Sequence, residues 1–200
     1  NYLLGEKVAI VSPKPQTTRS KVLGVLTEES RQMVFIDTPG LHRPRTKLGD
    51  FMVKTVEKTV DDVDIALLVV DAQDKLHPAE EELIRKIGAQ RLPAVLAVNK
   101  IDLLEKKTLL MERIARLSAL HDFDAVVPIS AATGDGVAAL KQELAALLPD
   151  GPAYFPEDTL TDQPERTLAA EMIREKLLYV LEDELPHGIG VVVERMKERE

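Results

Sequence analysis

The sequence predicts an α/β protein, a doubly wound and mostly parallel sheet with helices on both faces, followed by the start of a separate α+β module. Three observations carry this. Apolar runs rich in β-branched residues alternate with amphipathic stretches of crossover length. The later runs are almost uninterrupted in their hydrophobicity, as in parallel strands buried on both faces. A breaker-rich segment with Pro149, Gly151, Pro152 and Pro156 then interrupts the alternation. The chain of 200 residues is longer than one average domain and shorter than two. The expected division is a first domain over 1–150, a linker over 151–163 and the opening of a second domain over 164–200.

In chain order, Asn1-Tyr2-Leu3-Leu4-Gly5 reads as the last turn of a helix ending at a glycine. Strands are expected at Val22 to Thr27, Met33 to Asp37, Ile65 to Asp71, Ala94 to Val98 and Val126 to Ile129. Helices are expected at Phe51 to Val60, Ala79 to Ala89, Thr108 to His121 and Val137 to Leu148, where apolar residues recur three and four apart with charges opposite. Beyond the linker, Glu165 to Glu182 has the pattern of an amphipathic helix, Pro186 to Gly190 of a turn and Val191 to Val193 of a starting strand.

Composition excludes several classes. A hydrophobic fraction of 44% with 30% charged residues fits a globular chain able to bury a core, not a disordered one. Apolar runs such as Ile65 to Val70 are far shorter than a bilayer span, and no secretory signal opens the sequence. With no cysteine and four scattered histidines, disulfides and structural zinc are not expected. A net charge of -8 argues against a uniformly basic nucleic-acid surface, so any RNA contact must come from a local patch.

Open α/β sheets place ligands in the loops after their strands. After Ile36 comes Asp37-Thr38-Pro39-Gly40. In a nucleotide hydrolase such an Asp holds magnesium, usually through a water, because Mg²⁺ prefers oxygen ligands and keeps part of its hydration shell. Gly40, lacking a Cβ, lets its N–H approach a terminal phosphate. A strand-end Asp that caps its own backbone has the same local sequence.

After Val98 comes Asn99-Lys100-Ile101-Asp102. An ionised carboxylate accepts two parallel hydrogen bonds, and guanine offers adjacent donors at N1 and its 2-amino group where adenine does not. Asp102 is therefore the candidate for base selection, with the Lys100 stem covering the base face. A solvated Asn-Lys turn is the alternative. Ser130-Ala131-Ala132 follows the next strand, and its small residues let a backbone N–H, that of Ala131 in this reading, face guanine O6.

Three such loops in this order resemble the G3, G4 and G5 elements of the translation-factor-related GTPase superfamily, which implies a P-loop GTPase-type fold with GTP or GDP and Mg²⁺ as ligands. The superfamily's GxxxxGK[ST] phosphate loop has no counterpart in these residues, and the expectation is that a preceding segment carries it. Ser12-Pro13-Lys14-Pro15-Gln16-Thr17-Thr18-Arg19 then lies at the switch I position, where Thr18 rather than Thr17 is expected to complete the magnesium shell and contact the γ-phosphate. By composition alone a mobile surface loop with no ligand role is the better reading, and it is the position that favours the switch. Thr18, Asp37 and Gly40 form the expected catalytic set. Leu41 stands where Ras-like proteins have a glutamine that orients water, so intrinsic hydrolysis should be slow. Arg43, Arg45 and Lys47 read as a solvated basic turn.

Ser-Pro-Lys-Pro-Gln-Thr-Thr-Arg and Asp-Thr-Pro-Gly-Leu-His together resemble the Era family of ribosome-assembly GTPases. Phe155-Pro156-Glu157-Asp158, Thr161-Asp162-Gln163, Glu171-Met172-Ile173-Arg174-Glu175-Lys176 and Glu184-Leu185-Pro186-His187 resemble the junction and opening of its type II KH domain. The resemblance implies binding to 16S rRNA near its 3′ end, a role in 30S subunit assembly, a monomer, and a cytoplasmic protein with peripheral attachment to the cytoplasmic membrane. A KH domain grips single-stranded RNA with a GXXG loop, which does not occur before Glu200. Residues 151–200 hold 12 acidic and 6 basic side chains, the wrong sign for RNA by themselves. The alternatives are a tRNA-modification or other ribosome-associated GTPase without a KH domain, and a non-hydrolysing α/β binding module.

Overall fold

The computed structural model describes residues 1–14, 17–19, 21–40, 54–56, 58–73, 76–181 and 189–197. They form two compact units, Leu3–Gly40 with Tyr154–Glu200, and Leu41–Ala153.

The first unit is built on an antiparallel hairpin, β1 (Val22–Glu28) and β2 (Arg31–Asp37), paired from Val22↔Asp37 to Glu28↔Arg31. Its two-residue loop places Glu29 at φ 51°, the left-handed backbone that the right-handed twist of short hairpins demands. The expected linker lies along this hairpin instead of hanging free. Gln32 Oε1 accepts the N–H groups of Tyr154 and Phe155 at 2.8 and 3.0 Å, Val25 N–H donates to Leu160 O at 2.8 Å, and Thr161 Oγ1 donates to Leu23 O at 2.6 Å. These bonds occupy backbone groups that a strand edge otherwise leaves bare. Gly24 is buried because Leu4 packs on it, with Leu4 Cδ1 only 2.6 Å from where a Cβ would stand. Residues 2–5 form a turn that ends with Gly5 at φ +72°.

The second unit holds a parallel sheet in the order β3 (Ala66–Asp71), β4 (Ala94–Asn99), β5 (Ala125–Pro128). The central strand is the most buried element, with Ala94, Val95, Leu96, Ala97 and Val98 all at 0% exposure, as the unbroken apolar run requires. α1 (Pro78–Gln90) connects β3 to β4 and α2 (Lys107–Ser118) connects β4 to β5. Leu68, Val70, Ile84, Leu96, Val98 and Leu117 form the core between them. α1 starts at a capping box in which His77 Nδ1 accepts Ala79 N–H and Glu80 Oε2 accepts His77 N–H, with Pro78 fitting the first helical position. α3 (Val137–Ala146) follows β5.

Between residues 78 and 180 helix ends fall within three residues of the sequence-based expectation, and the starts at Val137 and Glu165 coincide with it. Of Phe51 to Val60, residues 54–56 and 58–60 are helical, and the rest lie outside the described residues. α4 (Glu165–Val180) belongs to the first unit and stops at Leu181, whose backbone is extended. The strand expected at Val191 to Val193 is absent: residues 191–197 are irregular, with no neighbouring strand among the described residues to pair with. Residues 186–188 of the expected turn lie outside the described residues. No described helix is long and apolar enough to cross a membrane.

Candidate functional site

In the first unit, Asp37 ends β2 and Thr18 comes from the loop that precedes β1. Thr18 Oγ1 donates to Asp37 Oδ2 at 3.2 Å, so the two residues expected to share magnesium are adjacent. Thr17 is occupied elsewhere, donating to Lys14 O at 2.7 Å and lying 2.9 Å from Ser12 Oγ. Of the two threonines, Thr18 is the one that bonds Asp37. Crowding by protein atoms raises the Asp37 carboxyl pKa, opposed by the bonds from Thr18 and the Thr38 backbone. The residue's surface nevertheless remains open to solvent. Pro39 is fully buried. At Gly40 an added Cβ would meet nothing within 4 Å among the described residues. Leu41, Arg43, Arg45 and Lys47 lie outside the described residues.

The loop bearing Thr18 is held by α4. Arg174 Nη2 donates to Thr17 O at 2.6 Å, Val11 N–H donates to Glu175 Oε1 at 2.9 Å, and Lys7 pairs with Glu175 Oε2. Arg174 and Glu175 are each 3% exposed. The hydrogen bond from Lys7 pulls the Glu175 pKa down, against burial, with Val11 N–H adding to the effect. Arg19 Nη1 donates to Ile189 O at 2.6 Å, and burial and the neighbouring Arg174 charge lower its pKa while Glu171 raises it.

In the second unit, Asn99 ends β4 and joins two of the predicted loops. Its Oδ1 accepts Lys100 N–H at 2.8 Å and Ala131 N–H at 2.9 Å. The N–H expected to face guanine O6 therefore has a protein acceptor here, whereas that of Ala132 has none among the described residues. Lys100 adopts φ 66°, ψ 35° and caps a 3-10 turn, Ile101–Leu103. A non-glycine residue in this left-handed region is costly and is kept only where its surroundings fix it. Ile101 N–H donates to Ile129 O at 3.2 Å, and Lys100 Nζ pairs with Asp71 Oδ2 at 2.7 Å. Asp102, on that turn, is exposed and has no hydrogen-bond or ion-pair partner among the described residues. Ser130 is fully buried, its Oγ accepting Thr133 N–H at 3.2 Å and its O accepting Gly134 N–H at 2.8 Å. Gly136 stands at φ +73°, with Pro128 O 2.2 Å from an added Cβ, so only glycine fits.

Sequence reasoning missed Asp71, Asn99 as a double acceptor, and Arg174 and Glu175 as anchors. The Gly134-Asp135-Gly136 run before α3 was a turn signal available for the third loop.

The chain is a GTPase by family: residues 1–100 match the family described as 50S ribosome-binding GTPase. The chain is 46% identical over 200 residues to GTPase Era of Ruminiclostridium cellulolyticum, covering 100% of this chain and 67% of that protein. It is likewise 46% identical over 199 residues to GTPase Era of Clostridioides difficile, with 67% of that protein covered. Among solved structures, Era in complex with MgGDPNP and nucleotides 1506–1542 of 16S ribosomal RNA superposes with a TM-score of 0.87 at 36% identity, over 94% of this chain and 64% of that one. A point variant of Aquifex aeolicus Era bound to GDP·AlF4⁻ gives 0.86 at 37% identity, over 93% and 64%. The chain belongs to the Era family of GTPases, and spans about two thirds of the length of these relatives.

Proposed function

We propose that the chain is the larger part of a switch that binds GTP, hydrolyses it slowly to GDP and phosphate, binds 16S rRNA and assists 30S subunit assembly. The observation that carries the nucleotide reading is Asp102. Its carboxylate is exposed and unpartnered among the described residues, on a turn fixed by the Ile101 N–H bond and the cap at Lys100. It is ready to accept the two adjacent donors of guanine. Ala131 N–H is taken by Asn99, so the Ala132 N–H is the better donor for guanine O6. Lys100, Asn99 and Ser130 shape the loops around the base, while Thr38 and Pro39 set Gly40 at the phosphate end.

Magnesium fits the pair of Thr18 and Asp37, one neutral and one ionisable oxygen 3.2 Å apart. Mg²⁺ takes few protein ligands, keeps several waters and completes its shell with phosphate oxygens. When bound, the ion neutralises charge on the phosphates. Thr18 would hold it through its hydroxyl and Asp37 through a water. Slow turnover follows from leucine at position 41, which cannot orient water. The 16S rRNA partner rests on the Era relative solved with that RNA, and we assign the contact to a KH domain that opens at residue 164. The domain division 1–150, 151–163 and 164–200, a monomeric state and a cytoplasmic site with peripheral membrane attachment belong to the same reading.

Nucleotide titration of the full-length protein tests it. Guanine nucleotides should bind more tightly than ATP by a factor on the order of 10⁴. Asp102→Asn should move the preference toward xanthine nucleotides, whose C2 carbonyl suits an amide donor. Equal affinity for ATP and GTP, or an unchanged preference in Asp102→Asn, refutes the assignment.

A further inference from the structure

Beside the Thr18 loop, wholly within the first unit, lies a cavity of about 70 Å³ whose polar lining is Thr18, Arg19, Gln163, Thr167, Glu171 and Arg174. The rest of the wall is aliphatic. Arg174 dominates it. The residue is 3% exposed, with Nε and Nη2 on the Glu171 carboxylate and Nη2 also on Thr17 O. Its Nη1 is buried and has no hydrogen-bond partner among the described residues. A guanidinium has no way to lose its proton near neutral pH, and leaving a charged donor dry and unpaired is among the costlier defects of a folded chain. The lining holds two arginines against one glutamate, so its formal charge is +1.

We propose that this cavity binds a small tetrahedral oxyanion, inorganic phosphate, on Arg174 Nη1, the Arg19 guanidinium and the Thr167 hydroxyl. The sign of the lining rejects a cation, and an apolar guest leaves Nη1 unpaired. Size agrees as well. One water needs roughly 10–15 Å³ of such space, so a cavity of about 70 Å³ offers about five to seven water-sized positions, room for a small oxyanion. Two sources share this chemistry, phosphate in solution and the phosphate released by hydrolysis. The second rests on the proposed GTPase reading, and Thr18 lies on both the cavity wall and the Asp37 pair.

Full-length protein loaded with magnesium and a non-hydrolysable GTP analogue, which fills the γ-phosphate position, is titrated calorimetrically with sodium phosphate at constant ionic strength, with sodium chloride as reference. We expect saturable one-to-one binding. Thr167→Val should weaken it about tenfold, the size of one hydrogen bond to a charged group, and Arg174→Lys at least as much. Thr167 is exposed, so its variant decides the matter if Arg174→Lys fails to fold. In a second arm, single-turnover phosphate release is followed with a fluorescent phosphate sensor. Faster release relative to cleavage in Thr167→Val identifies the product as the occupant, and unchanged release with lost equilibrium binding identifies free phosphate. Absence of saturable phosphate heat, or binding untouched by Thr167→Val, overturns the proposal. Loss of guanine preference would instead overturn the nucleotide reading, so the two failures are distinct.

Discussion

Replacing Asn99 by alanine removes one oxygen that holds two loops together. Oδ1 accepts the N–H groups of Lys100 at 2.8 Å and Ala131 at 2.9 Å, and each such neutral bond contributes about 1 kcal/mol net. Both N–H groups sit on exposed residues, so water replaces part of what is lost and neither is left dry. The expected cost is therefore about 1–2 kcal/mol, which is roughly a five- to thirtyfold loss of affinity if it falls on ligand binding. It should fall there. The bonds join the turn carrying Asp102 to the turn carrying Ala132, while the hydrophobic core of the unit lies in Leu68, Val70, Ile84, Leu96, Val98 and Leu117. Fluorescence titration of full-length Asn99→Ala with labelled GDP, beside urea unfolding of the same protein, separates the two effects. GDP affinity equal to that of the unmodified protein, in a variant that remains folded, refutes the argument. So does a loss of affinity that merely tracks a fall in the unfolding midpoint.

Two further outcomes follow from the same geometry. Gly136→Ala should destabilise the protein by about 2–5 kcal/mol, from a left-handed backbone costing about 1–2 kcal/mol and overpacking costing about 1–3 kcal/mol; the position has φ +73° and Pro128 O lies 2.2 Å from the new Cβ. A shift in urea midpoint measures it, and a variant as stable as the parent contradicts the placement of that turn. Glu175 has a folded-state pKa below its ordinary value because of the bond from Lys7. Its contribution is thus present above the unfolded value of about 4.3 and disappears as pH falls from there through the folded value. Glu175→Gln should flatten the acid limb of the stability profile in that window; a profile parallel to the parent's would show that the pair is not formed in solution.

The fold was legible because its signals are short-range and redundant. The run Ala94 to Val98 is apolar without interruption, and only a central parallel strand buries every side chain; all five positions are fully covered. The Asp37 and Asp102 turns were legible for a related reason, since an acidic residue after a buried strand sits at the mouth of an α/β sheet. What escaped was long-range hydrogen bonding. Nothing local reveals that Asn99 accepts from residue 131, or that Asp71 meets Lys100. The choice of Ala131 as the O6 donor did not foresee that acceptor, because sequence places a backbone N–H in a loop but does not aim it. The expected strand at Val191 to Val193 illustrates the converse: β-branched residues describe what suits a sheet, yet a strand forms only beside another.

α4 shows how far a correct element can conceal its use. Read as an amphipathic helix, its charges at 171, 174 and 175 belong on the solvent face. In the structure Arg174 and Glu175 are 3% exposed, whereas Met172 and Ile173 are 42% and 49% exposed. Two charges join Ala170 and Leu178 on the buried face because the loop before β1 supplies what they need: Thr17 O for the guanidinium, Val11 N–H and the Lys7 ammonium for the carboxylate. Buried ion pairs return little stability against an apolar replacement, since desolvation offsets their attraction. Their effect is geometric: the guanidinium and carboxylate accept few arrangements of the loop that satisfies them. The same loop carries Thr18 to Asp37. A helix that looked like a generic module opening is thus one wall of the proposed switch, and the position of that loop depends on two residues whose sequence pattern alone assigns them to water.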